Sequence, residues 1–241
     1  MNIYEKGTLE KVTGETLRPG GLTLTEEALE YCQFSKGAKI LDVGCGTGST
    51  VKFLIENRGF EAQGLDRSSL MIKKGKAASP ELPIRIGRAE DLPFFDREMD
   101  GIFMECCFSL FEDQDLALKE AYRVLKDHGK LIITDLYYKN ESLTHSRPGD
   151  PQSCLHGAGS KESLFEKLNN QGFKISLWCD KSKLLAQLVI DTIMKYGSAD
   201  YFWESILPPS ENQGLTRAEV LAQKPGYFLL IATKAGAKRP G

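Results

Sequence analysis

Lys39-Ile40-Leu41-Asp42-Val43-Gly44-Cys45-Gly46-Thr47-Gly48 is the stretch that decides the fold of this chain. Residues 38–43 read as a buried strand, and glycine then recurs at every second position before a helix over 48–57. Strand, glycine turn and helix make a ligand seat. Without a Cβ the backbone can approach a bound molecule closely, and the first N–H groups of the helix point at its negative end.

The spacing argues against a dinucleotide. G-x-G-x-x-G needs glycine where this chain has Ser49, and the third glycine falls one residue early at Gly48. The loop holds no Lys or Arg and no G-K-[ST] follows, which excludes a phosphate-cradling P-loop. Such a loop suits a smaller anionic group, such as an amino-acid carboxylate. The next strand, 61–65, leads into Asp66, about 20 residues past the glycines, where an acid accepts hydrogen bonds from ribose hydroxyls. Together these features point to S-adenosylmethionine (SAM).

Outward from the loop, strands and helices alternate: a helix at 24–34 with Thr23 or Thr25 as N-cap, helix 68–77, strands 83–87 and 99–104, helix 113–126 and strand 129–136. Helix 161–171 and strands 173–179 and 226–233 complete seven strands. The pattern predicts an α/β fold, a doubly wound, mostly parallel seven-stranded sheet with helices on both faces. Residues 140–160 show no clear element, and 181–224 is an insertion with an apolar helix at 184–194. A long insertion of this kind reads either as a lid over a second substrate or as a helical hairpin packed on the sheet. The chain is expected to form one domain over 1–241: an N-terminal cap segment 1–34, a cofactor-binding core 38–137 and an acceptor-side half 138–241.

Composition narrows the function. A net charge of −2 argues against a nucleic-acid or membrane-surface partner and for a small-molecule one. No apolar run reaches membrane-spanning length and the first residues lack an apolar signal region, so a cytoplasmic location is expected. Six cysteines in that setting read as reduced thiols. No C-x₂-C spacing suggests zinc, and no resident metal is expected. Nothing in the pattern sets an oligomeric state.

Five segments in order resemble the class I SAM-dependent methyltransferases, in the small-molecule branch with quinone-biosynthesis and arsenite-methylating members. They are Ile40–Gly48, Gly64–Ser68 with Met71, Gly87–Phe94, Met99–Phe103, and Glu120–Lys126 with Gly129–Leu131. Asp127-His128-Gly129 stands where the family usually has Pro-Gly-Gly, which alters only a turn. The resemblance implies a Rossmann-like methyltransferase fold and SAM as methyl donor, with S-adenosylhomocysteine as product. It implies that Asp42, Gly44, Gly46 and Gly48 line the methionine part of SAM and that Asp66 binds the ribose. Arg67, Met71, Ala89 and Glu90, with Asp91 near, would lie at the adenine, and Met104 and Glu105 at the sulfonium and amino group.

The acceptor side rests on cysteines. Glu105-Cys106-Cys107-Phe108 and Ser153-Cys154-Leu155-His156 are similar to the two cysteine segments with which arsenite methyltransferases hold a trivalent metalloid, although that family's further cysteines have no clear counterpart here. Cys106 and Cys154 would then bind a thiol or metalloid acceptor, since soft thiolates select soft acceptors. Of Cys106 and Cys107, only one can face the site. His156 is a candidate general base for an oxygen or nitrogen acceptor. Asp135 and Tyr137, at the end of the fifth strand, are candidates for the acceptor pocket, and Tyr201, Phe202 and Trp203 for packing or an apolar wall. A quinone-type C- or O-methyltransferase and a SAM-binding protein without catalysis are the alternatives.

Overall fold

The computed structural model describes residues 18–140, 154–198, 200, 202–203 and 217–236. Helix α1 (Gly21–Cys32) precedes β1 (Lys39–Val43), followed by α2 (Ser49–Arg58), β2 (Glu61–Asp66), α3 (Ser69–Ala78), β3 (Ile84–Ile86) and β4 (Met99–Glu105). A 3₁₀ turn (Phe108–Leu110), α4 (Gln114–Val124), β5 (Leu125–Tyr138), α5 (Cys154–Gly157), α6 (Lys161–Asn170), β6 (Phe173–Asp180), α7 (Ser182–Tyr196), α8 (Arg217–Ala222) and β7 (Pro225–Lys234) complete the described elements. The strands form one seven-stranded sheet in the order β3-β2-β1-β4-β5-β7-β6. The first five run parallel, whereas β7 is antiparallel to both β5 and β6. This is the doubly wound sheet that the alternation predicts.

The sheet separates two apolar layers, and the two-residue period of a strand assigns side chains between them. Ile40, Phe103, Ile132 and Tyr227 face a layer with Leu24 of α1, Val51 and Leu54 of α2 and Leu185 of α7. Their neighbours Leu41, Ile102, Met104, Leu131 and Ile133 face the other layer, with Ala117 and Leu118 of α4 and Leu164 and Leu168 of α6. Parallel strands covered on both faces read as continuous apolar runs, which is why 39–43 and 99–104 are legible as strands.

Two local expectations need correction. Helix α1 begins at Gly21, and Thr25 is an interior residue, fully buried, not an N-cap. Its hydroxyl donates to Glu105 Oε1 at 2.8 Å, so a tertiary partner decides its role. The stretch expected to lack structure contains α5, a single turn. The described part of the 181–224 insertion is largely α7, which lays Leu185 into the core and hydrogen-bonds into β7 through Ser182 Oγ, 3.3 Å from the Tyr227 amide. Phe202 and Trp203 are buried edge-to-face at 5.2 Å, while Tyr201 and residues 204–216 lie outside the described residues. No helix among the described residues is long and apolar enough to cross a membrane.

Strand β7 is the most enclosed late element, with Leu229, Leu230 and Ile231 fully buried. Leu230→Ala should cost about 2–5 kcal/mol, the range for truncating a core leucine that cannot be refilled. A fall in the urea midpoint at unchanged slope is the expected readout.

Candidate functional site

The loop after β1 is held from β2. Gly44 and Cys45 N–H both donate to the Leu65 carbonyl, at 2.7 and 2.9 Å, and Gly46 N–H donates to Asp66 Oδ2 at 2.8 Å. Gly44, Gly46 and Gly48 have φ of 78°, 56° and 87°, the left-handed region that side chains resist. Their missing Cβ atoms serve different ends. At Gly44 a Cβ would lie 2.6 Å from Cys107 Cβ, and at Gly48 it would lie 2.5 Å from Leu82 Cδ2. Among the described residues, at Gly46 it would meet only Met71 Cε, at 3.6 Å. Of the three glycines expected to line a ligand, Gly46 has the open face. Gly44 and Gly48 lack side chains because protein atoms occupy the space.

Asp66 uses one oxygen on Gly46 and the other, Oδ1, on Ser68 N–H at 2.8 Å. The group is half-buried at the tip of β2. Ser68 caps α3 by accepting from Met71 N–H at 3.3 Å, and the buried Met71 lies against the loop. Glu112 links the predicted Arg67, paired with it at 3.5 Å, to Arg88, which was not among the expected site residues and pairs with it at 2.6 Å. Glu90 Oε1 accepts from the Glu112 and Asp113 amides at 3.0 and 3.4 Å, beside the buried Ala89. Asp91 is exposed.

At the end of β4 the two predicted residues part company. Glu105 lies with Phe103 on the α1–α2 side, whereas Met104 is fully buried in the layer beneath α4. Strand alternation sends the two side chains to opposite faces of the sheet. Glu105 is buried within a polar network that sequence reasoning missed. Arg18 Nη2 lies 2.9 Å from Glu105 Oε2, and Thr25 and Thr50 hydroxyls donate to the two Glu105 oxygens at 2.8 and 3.0 Å. Asp42 is buried close by. Its carboxyl is pushed well above the ordinary range, first by burial and then by Glu105, against the opposing pull of Arg18.

The predicted cysteine pair does come together. Cys106 is half-buried and holds φ of 56°, and its N–H donates to the Thr134 carbonyl at 2.6 Å. Its thiol shares a hydrogen bond with Cys154, the first residue of α5, and this contact with burial raises the Cys106 thiol well above its usual value. Cys107 turns the other way and donates to the Val43 carbonyl at 3.0 Å, filling the space that Gly44 leaves. Cys45 is buried against Gly64. His156 belongs to α5, but its side chain lies outside the described residues. Among the described residues no group of three or more His, Cys, Asp or Glu is placed to hold a metal ion.

Asp135 and Tyr137 line one cleft of about 330 Å³, with Phe108, Ser109, Ser160 and Phe228. Asp135 has no exposed surface and accepts from Ser109 N–H at 2.8 Å, Ser109 Oγ at 3.0 Å and Leu136 N–H at 2.7 Å. Burial pushes its carboxyl up to about 6 although these donors pull it down.

A methyltransferase-domain family model matches residues 41–133, the span from the glycine loop to the middle of β5. The chain belongs to the class I SAM-dependent methyltransferases. The chain is 36% identical over 103 residues to a demethylmenaquinone methyltransferase of Thermotoga maritima, covering 42% of this chain and 45% of that one. It is 30% identical over 178 residues to the O-methyltransferase resE of Aspergillus sclerotiorum, covering 69% and 66%. A solved phosphoethanolamine N-methyltransferase 2 of Haemonchus contortus, in complex with S-adenosyl-L-methionine, superposes with a TM-score of 0.75 at 18% identity, covering 96% of this chain and 57% of that one. The match spans about half the length of most curated relatives compared.

Asp135 has a raised folded-state value, so the native state holds a proton that the unfolded chain has lost between about pH 4 and pH 6. Its contribution is full below that window and falls as pH rises through it. Asp135→Asn lacks this titration. The stability of the variant relative to wild type should therefore improve from about pH 4 to about pH 7, as read from paired urea melts.

Proposed function

We propose that this protein transfers a methyl group from SAM to a small-molecule acceptor. The observation that carries the reading is the seat made by Gly46 and Asp66. Among the described residues one backbone face is open, its N–H is held at 2.8 Å by a carboxylate, and that carboxylate stands at the tip of β2, where an acid can read a ribose. The orphaned, buried Nε–H of Arg18 beside Glu105 also fits a ligand with an anionic end. When bound, SAM supplies a methyl carbon activated by its sulfonium; an acceptor lone pair forms the new bond while the S–CH₃ pair returns to sulfur, leaving S-adenosylhomocysteine. The protein's part is to hold donor and acceptor at near-attack distance, about 3–3.5 Å, and to exclude water.

For the acceptor, the Cys106–Cys154 contact supports a thiol or trivalent metalloid. Two facing thiols, one on a backbone turned out of its strand, offer a soft two-sulfur site at the carboxyl end of β4. A bound metalloid would displace both thiol protons on entering, which explains how raised thiols still serve as ligands. A quinone-type acceptor is the second reading, favoured by the similarity to the Thermotoga maritima demethylmenaquinone methyltransferase.

Asp66→Ala should weaken SAM binding by at least tenfold in calorimetry, because it removes both the loop's anchor and a diol acceptor. Unchanged affinity counts against the donor assignment. Incubation with labelled SAM and a panel of arsenite, thiols, quinols and amines should transfer label to one class. If that class is metalloid, Cys106→Ser and Cys154→Ser should each abolish binding of trivalent arsenic, and retention in both variants removes the two cysteines as its ligands; label on quinols alone favours the quinone reading.

A further inference from the structure

A line of charged side chains stands across the carboxyl ends of the central strands. The sheet order puts β3 and β2 on one side of β1 and β4 on the other. The two halves of the sheet therefore part between β1 and β4, the place where a doubly wound sheet opens a crevice for a ligand. Arg67 follows β2 and Arg88 follows β3, on one bank. Glu112 lies in the segment that leaves β4 and precedes α4, on the other.

The Glu112 carboxylate joins the two banks. Its Oε1 lies 3.5 Å from Arg67 Nη1 and its Oε2 lies 2.6 Å from Arg88 Nη2. The backbone is tied as well. Glu90 Oε1 accepts the Glu112 and Asp113 amides at 3.0 and 3.4 Å, and Arg88 Nε lies 3.6 Å from Glu90 Oε2. These ties differ in how readily they part. The Glu90 side chain is mostly buried, whereas those of Glu112, Arg67 and Arg88 are half exposed. Exposed ion pairs gain little and are screened by salt. The side-chain pairs can therefore open while the bonds to Glu90 keep Glu112 in place to close them again. They cross beside the proposed seat, since Arg67 adjoins Asp66, which holds the Gly46 amide.

We propose that Glu112, with Arg67 and Arg88, forms a strap across the mouth of the cofactor crevice that sets how fast cofactor enters and product leaves. This rests on the reading that SAM is the methyl donor. A contact made equally by the empty and the filled protein cannot shift the binding equilibrium. It slows entry and release alike, so the strap acts on rates and leaves affinity unchanged.

The test needs no turnover. Association and release of S-adenosylhomocysteine are read by surface plasmon resonance on the whole chain. The compound carries no net charge near neutral pH, so salt acts on the strap and not on ligand steering. In wild type both rates should rise together, by about two- to fivefold, between about 20 mM and about 500 mM salt, the scale of one or two exposed ion pairs. Glu112→Gln keeps the backbone tie to Glu90. It should show both rates already raised at low salt, no further salt response and an unchanged Kd. Arg88→Gln should go part of the way, because Arg67 still pairs with Glu112. Release that quickens while entry stays the same makes Glu112 an ordinary binding contact and overturns the proposal. Wild-type rates insensitive to salt overturn it too, even where the variants fail to fold, as does a folded Glu112→Gln with wild-type rates. A wild type that binds no S-adenosylhomocysteine defeats the donor reading itself, and the strap with it.

Discussion

Three backbone amides and the end of one strand set the shape on which this structure depends. The Leu65 carbonyl takes two amides of the glycine loop and the Asp66 carboxylate takes a third, so the turn after β1 is moulded by the tip of β2. That shape forces left-handed φ at Gly44, Gly46 and Gly48, and the neighbours then close in on it. Cys107 fills the gap at Gly44 and the Leu82–Ile84 segment the gap at Gly48, which leaves the open face at Gly46. Asp66 thus anchors two segments at once, the glycine loop through Oδ2 and the start of α3 through Oδ1.

Much of this was legible in the chain. The strands could be read because parallel strands covered on both faces are apolar runs bounded by turn residues, and the sheet followed from their alternation with helices. Cys106 and Cys154 were legible through family likeness, and they meet. The opposite placement of the Met104 and Glu105 side chains was present in the sequence, because side chains alternate along a strand. That side chains of Cys107 and Leu82 fill the Cβ space at Gly44 and Gly48 was not, because a missing Cβ looks the same in a sequence whatever fills the space. Arg18 left no signal. It lies in a polar stretch without periodicity, and Glu105 and Thr50 are 87 and 32 positions away, so only the folded chain gives it a role.

The end of β4 shows how one backbone turn distributes neighbouring side chains. Cys106 makes a last ladder hydrogen bond to Thr134 and then adopts a left-handed conformation, a strained choice for a residue with a side chain. The turn sends Cys106 toward Cys154 and Cys107 beneath the glycine loop. Ser109, two residues on, is latched to Asp135, and α5 presses so closely on it that a Cβ at Gly157 would fall 1.8 Å from the Ser109 carbonyl oxygen. The donor and acceptor halves are therefore linked through residues 105–109, where a shift in one is felt by the other.

The position of β7 has a consequence for how the molecule is made. It lies between β5 and β6, so the final strand of the sheet to be synthesised is an interior one. β1 to β5 can pair as they leave the ribosome, but β6 has no neighbour in the sheet until β7 inserts beside it. Through that interval β5 and β6 each present an open edge, the kind of surface that invites pairing with another chain. Premature termination before residue 225 would leave the nascent protein with its donor half assembled and its sheet unclosed.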